Sequence, residues 1–197
     1  MLKELLLVMF KPFEEGCDVL GGAINSMLSS LSAIPLIVDK YFVDIGYPPA
    51  SEIKDDQWYS MEKWLLIFKL ISDKTGPHTL LNIGKKIPYT AQFPKNNGTL
   101  ADGLKSIDIA YHMNHRNAQG QVLYSNGVIL EGIGHYLLRD VSNEEAIMVC
   151  ENPYPCDFDK GIILAMAQKF EPRAIVQHES VECRKNDSNY CIYKVTW

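Results

Sequence analysis

Five cysteines stand in this chain of 197 residues, and four of them, Cys150, Cys156, Cys183 and Cys191, fall in its last quarter, with only Cys17 outside it. The segment from Cys183 to Cys191 carries Asn186, Asp187, Ser188 and Asn189 between its two thiols. These are turn residues, so the segment predicts a hairpin with the two cysteines facing each other near its base. Two thiolates a few ångströms apart make half of a tetrahedral zinc site. Cys156 precedes an expected helix, and a helix N-terminus lowers a thiol pKa toward the thiolate that a metal needs. His178 is the first choice for the fourth ligand, with His135, Glu151, Cys150 or water as alternatives. The competing reading is that these are small buried apolar residues, as free cysteines often are.

Other residues could also do chemistry. His112 and His115 are three apart on an expected helix and would share a face, as a metal half-site or an anion site with Arg116. A polar helix end, where His and Arg complement the dipole, explains them without a ligand. Gly132-Ile133-Gly134 before His135 and Tyr136 suggests a bulge or a close backbone approach at the first strand of a sheet. His135 or His112 could ligate a haem iron, but the Tyr-Ser-Arg propionate motif of nitric-oxide-sensing haem domains does not appear. Haem is therefore the weakest of the cofactor readings. Asp157 and Asp159 could form an acid–base pair in a cleft, although helix capping accounts for them. There is no Ser-His-Asp arrangement, no His-Glu-x-x-His metalloprotease motif and no phosphate-binding Gly-rich loop. No catalytic residue is assigned.

The elements that must position these residues change character near residue 120. Before it the pattern is helical: 14–32, then Pro35 to about Ile45, Met61 to about Lys74 capped by Ser60, His78 to about Lys86, and Leu100 to about Arg116 opened by Thr99. After it come strands at His135–Arg139, Ala146–Glu151, Arg173–Glu179 and Tyr190–Trp197, interrupted by one helix from about Lys160 to Phe170. The expected fold class is α+β: N-terminal helices packed on a C-terminal, mostly antiparallel sheet with one crossing helix. One domain over 1–197 is expected, with a mainly helical half (1–118) and a strand-rich half (119–197) carrying the cysteines.

An apolar fraction of 47% and a charged fraction of 22% are those of a globular chain and argue against disorder or a coiled coil. Lys and Arg number 19 against 24 Asp and Glu, a net charge of -5, which speaks against a nucleic-acid partner. The uncharged run from Val19 to Val38 contains polar residues and Pro35, so it reads as a buried helix and turn rather than a membrane span. The N-terminal apolar run is short and has no small-residue cleavage site, so no signal peptide is expected. The cytoplasm, where thiols stay reduced, is the expected compartment, and the sequon at Asn97 then reads as a turn.

Residues 146–197, with Cys156 before a helix, a strand, and the Cys183–turn–Cys191 hairpin ending in an aromatic strand, resemble the C-terminal part of the 4-vinyl reductase domain family. The resemblance implies a TRAPP-subunit-like fold, commonly dimeric. It also implies a structural zinc on Cys156, Cys183 and Cys191 and an apolar pocket for a small aromatic molecule. The family's acidic fourth ligand has no match here. The expected function is a non-catalytic small-molecule-binding or sensory domain with a structural zinc. It would take a small apolar or aromatic ligand in a pocket lined by Trp64, Phe68, His135 and Tyr136, with Trp58, Tyr59 and Phe93 as further wall residues, and it would pair as a homodimer. The alternatives are a reductase-like or tetrapyrrole-related enzyme, a haem-binding sensor, and a dimeric scaffold subunit.

Overall fold

The computed structural model describes residues 9–31, 35–94, 98–179, 181, 183–186 and 188–197. The sequon at Asn97, the turn residue Asp187 and residues 1–8 of the N-terminal run lie outside the described residues. In chain order the elements are β1 (Asp18–Leu20), α1 (Gly21–Leu28), α2 (Pro35–Asp44), β2 (Trp58–Ser60), α3 (Met61–Thr75), α4 (Pro77–Thr90) and α5 (Leu100–Met113). They continue with β3 (His115–Arg116), β4 (Tyr124–Ser125), β5 (Val128–Ile129), β6 (His135–Val141), β7 (Glu145–Glu151), α6 (Cys156–Gln168), β8 (Ile175–Glu179) and β9 (Cys191–Thr196). The fold is α+β, with the helical half packed on an antiparallel sheet of order β6-β7-β9-β8 and α6 crossing it.

Local chemistry sets most of these boundaries. The Ser60 hydroxyl accepts the Lys63 N–H and caps α3. Gly76, at φ 77°, stops α3 in a conformation that a side chain would resist, and Pro77 supplies the fixed φ that starts α4. The Thr99 hydroxyl accepts the Asp102 N–H at 3.1 Å and caps α5. In β9 the alternation is observed: Cys191, Tyr193 and Val195 are buried, while Ile192, Lys194 and Thr196 are half-buried.

Several elements differ from the sequence expectation. The helix expected over 14–32 begins only at Gly21, because Asp18, Val19 and Leu20 pair with Ser60, Tyr59 and Trp58 of β2, and β3 pairs on the other edge. A three-residue strand this short has no legible period. α4 runs on through Pro88 to Thr90. α5 ends at Met113, where the Asn114 side chain donates to the Ala110 carbonyl at 2.7 Å and turns the chain into β3. α6 starts at Cys156, so Asp157 and Asp159 lie in its first turn rather than capping it.

One apolar core runs through both halves. Trp64 and Phe68 of α3 stack at 5.4 Å, and Phe68 meets Phe158 of α6 edge-on at 5.1 Å. α4 and α6 cross on two glycines. A Cβ on Gly84 would strike the Phe158 carbonyl oxygen, and one on Gly161 would strike the Leu81 carbonyl oxygen. That contact fixes how closely the two helices approach, and both help to wall the cavity described next. Among the described residues no helix is long and apolar enough to cross a membrane.

Candidate functional site

A cavity of about 50 Å³ lies where α1, α4, α5 and α6 meet, walled among others by Met27, Ile87, Phe93, Ile107, Tyr111 and Phe158. Beside it opens a cleft of about 510 Å³ that shares Ala91 and Asn114 with it and is lined by Asn25, Ser26 and Gln92. The cavity wall is apolar apart from a few side chains, of which His115 and Tyr154 form a pair. The His115 Nδ1–H donates to the Tyr111 carbonyl at 2.7 Å, which leaves Nε2 with its lone pair, and that nitrogen accepts the Tyr154 hydroxyl at 3.2 Å. Burial pushes the His115 imidazole down to about 4, against the help of the Tyr111 carbonyl, so the ring is neutral at pH 7.

This has a measurable consequence. In the unfolded chain His115 takes up a proton below about 6.5, whereas in the folded chain it does so only near 4. The unfolded state therefore binds more protons in that window, and stability falls as pH drops from about 6.5 to about 4. The 2.5-unit difference amounts to about 3 kcal/mol. Urea melts at a series of pH values, compared with His115→Gln, should show this slope in the wild type and a shallower one in the variant. Equal slopes would mean that His115 is not buried neutral.

The second site is the cysteine group. Cys156 Sγ lies 3.4 Å from Cys191 Sγ and 3.7 Å from Cys183 Sγ. A ring nitrogen of His178 joins them, and the four ligand atoms all lie within 4.8 Å of one another. α6 brings Cys156, β9 brings Cys191, and the loop before β9 brings Cys183. His178, opposite Tyr193 in the β8–β9 register, stacks on that ring at 4.7 Å. The contact with Cys156 and then His178 and Arg184 hold the Cys191 thiol well below its usual range despite burial. Cys156 is pushed up in turn, because its proton is held in that contact and because it is buried. Cys150 pairs with Cys191 across β7 and β9, and Cys17 is buried near β1.

A buried polar chain joins the two sites. The Tyr136 ring lines the cavity, and its hydroxyl donates to Asp159 Oδ1 at 2.6 Å. Arg184, 1% exposed, pairs with Asp159 and donates to the Asn152 carbonyl and side chain. Its Nε and backbone N–H both point at Cys191 Sγ, at 3.3 and 3.4 Å. Burial pushes the Asp159 carboxyl up to about 6, and the guanidinium keeps it from rising further. Sequence reasoning did not find Arg184 or the role of Asp159. The signal for Asp159 was a carboxylate among Phe158, Ile162 and Ile163 on the buried side of α6.

Of the pocket residues expected from the sequence, Tyr136 and Phe93 line the cavity. Trp64 and Phe68 stack inside the core, and His135 faces Asp108. His112 and His115 do not share a face, because α5 ends between them. His112 packs against His135 of β6, and His115 against the cavity.

No family model and no curated protein matches the chain. Solved structures do match along nearly its whole length. An H-NOX protein from S. oneidensis in the Fe(II) ligation state is 12% identical, covering 90% of this chain and 95% of its own, with a TM-score of 0.60. An Fe(II) unliganded H-NOX protein from K. algicida is 15% identical, covering 89% of this chain and 95% of its own, also with a TM-score of 0.60. The S. oneidensis protein in its Fe(II)NO ligation state is 11% identical, covering 89% and 97%, with a TM-score of 0.58. The chain has the H-NOX fold.

This overturns the 4-vinyl reductase and TRAPP-subunit resemblance, which rested on the cysteine pattern of residues 146–197 alone, whereas the H-NOX match runs through the helical half as well. The reading of the chain as a zinc-centred domain of that family falls with it, since it rested on that resemblance and the matching structures are H-NOX proteins. The low weight given to haem is corrected too, because a further match, at 15% identity and a TM-score of 0.54, is described as probing heme distortion in the H-NOX family. A lone histidine and a missing motif are weak grounds against a cofactor whose pocket is assembled from separate helices.

Proposed function

We propose that the chain is a haem-type sensor domain that takes its cofactor into the cavity between α5 and the helices facing it, and responds to a small apolar ligand there without catalysis. His115 carries this reading. It is a neutral imidazole at the cavity wall, its tautomer fixed by the Tyr111 carbonyl, and its Nε2 accepts only the Tyr154 hydroxyl, a bond that a haem iron would replace. Such a nitrogen would hold a haem iron, and the bond from Nδ1–H to a carbonyl is the outer contact that orients such a ring. The donor set therefore fits.

The space fits only after movement. Cofactor sites run to roughly 300–1,000 Å³, against about 50 Å³ here. α4 and α6 would have to separate to admit a haem, and its affinity would carry the cost of that opening. In the adjoining cleft, Asn25 donates to the Ile53 carbonyl and to Asp55, and Ser26 donates to the Gly22 carbonyl, so Gln92 is the cleft side chain offered to its carboxylates. Bound haem would supply an iron that coordinates a diatomic ligand. Hemin titration followed by absorption tests the reading: a saturating one-to-one Soret band is expected, and a spectrum indistinguishable from free hemin would sink it.

A second reading is favoured by the convergence of Cys156, His178, Cys183 and Cys191. These four hold a thiophilic metal ion closed off from water, which ties the β8–β9 connection to α6. Metal analysis of protein purified without chelator should find a bound ion that Cys183→Ser loses along with part of its thermal stability. The chain acts as one unit in the cytoplasm, where thiols such as its five free cysteines stay reduced. Exposed Leu36, Ile37 and Val43 on α2 support pairing as a homodimer.

A further inference from the structure

We propose a second metal site, separate from the haem reading and from the cysteine group, at Asp108, His112 and His135, which takes a borderline divalent transition-metal ion. Asp108 and His112 are one turn apart on α5, and His135 opens β6, which packs against that helix. One ligand atom from each lies within 4.8 Å of the other two. The Asp108 carboxylate is 3.2 Å from His135 Nδ1 and 3.6 Å from His112 Nδ1. It is held by the backbone N–H of Tyr136, which donates to it at 2.9 Å. Ligand atoms around one such ion sit about 3–3.5 Å apart, given metal–ligand bonds of about 2.1 Å. The Asp108–His135 pair already has that spacing, and the His112 ligand atom stands within 4.8 Å of both.

His112 points to a ligand independently of that spacing. Its ring is 0% exposed, its Nδ1 is hydrogen-bonded to the Asp108 carbonyl at 2.8 Å, and its Nε2 has no partner. A buried nitrogen with no bond is costly to keep. An ion coordinated by this ring would repay that cost. His135 is built as such sites are: its Nε2 meets Glu131 Oε2 at 2.8 Å while its Nδ1 faces Asp108, the carboxylate–histidine arrangement that orients a ligating ring. Two imidazoles and one carboxylate, without a thiolate, suit divalent transition ions rather than calcium, magnesium or copper(I).

Titration of the full chain with Co(II) tests this. Cobalt on nitrogen and oxygen ligands gives weak visible bands, whereas cobalt on the cysteine group adds intense thiolate charge transfer. The expected result is visible bands that Asp108→Asn and His135→Gln abolish while any thiolate charge transfer persists. Asp108→Asn keeps an oxygen for the Tyr136 N–H, and circular dichroism reports whether each variant is folded. Glu131 is 80% exposed, so Glu131→Gln should fold regardless and should weaken Co(II) binding about 10- to 100-fold. Bands unchanged in the three variants, or thiolate charge transfer alone, would overturn the proposal and leave Asp108–His135 as an ion pair only.

Discussion

Arg184→Ala should destabilise the chain by about 3–5 kcal/mol, the cost of leaving one half of a buried ion pair without the other. Arg184 is 1% exposed and Asp159 fully buried. With the guanidinium gone, the Asp159 carboxylate keeps only the Tyr136 hydroxyl and a long bond from Asn152, and the Asn152 carbonyl and Cys191 Sγ each lose a donor. The double variant Arg184→Met with Asp159→Leu should recover much of the loss, because it buries no unpaired charge. Chemical denaturation of the single and double variants measures this. A loss below about 1 kcal/mol for Arg184→Ala, the range of a surface pair, would mean that the network is not closed off from water. Because Arg184 helps to hold the Cys191 thiol below its usual range, the single variant should raise the pH at which that thiol reacts with alkylating agents.

Gly84→Ala should be the second largest effect, and it should act in two directions at once. The added methyl meets the Phe158 carbonyl, the Gly161 Cα and the Ile162 nitrogen, all of them backbone atoms that no rotamer change can move. α4 and α6 must separate, at a cost of about 1–3 kcal/mol or more, as for other insertions into a packed core. Ile87 of α4, Ala91 just after it, and Phe158 and Ile162 of α6 all wall the cavity, so the same separation should widen it. The variant should therefore unfold at lower denaturant yet take up hemin faster than the wild type. Stopped-flow absorption beside a urea melt reads both effects. Lost stability with unchanged uptake would show that α4 and α6 are not the gate.

The helices with a strong period and a cap could be read from the sequence. Ser60 and Thr99 cap α3 and α5 as expected, and the alternation of β9 gave its buried face correctly. What could not be read was long-range. β1, β2 and β3 are two or three residues each and exist because they pair with one another, so no local pattern marks them. The cavity is assembled from four helices, and His115 reaches its wall from β3, just after Asn114 ends α5. The cysteines were conspicuous as a type, and their spacing led to a family whose fold the chain does not have. Arg184 sits between two of them at a turn, where a basic residue is expected to face solvent. Its burial depends on Asp159, which is 25 residues away.

In a haem-loaded chain, His115 Nε2 would hold the iron. The most direct measurement is the absorption spectrum of hemin-loaded wild type and His115→Gly, each recorded with and without added imidazole. The expected result is a histidine-ligated Soret spectrum in the wild type, its loss in His115→Gly, and its return when imidazole fills the space the side chain left. Identical spectra in wild type and variant, or no protein-bound haem in either, would contradict it.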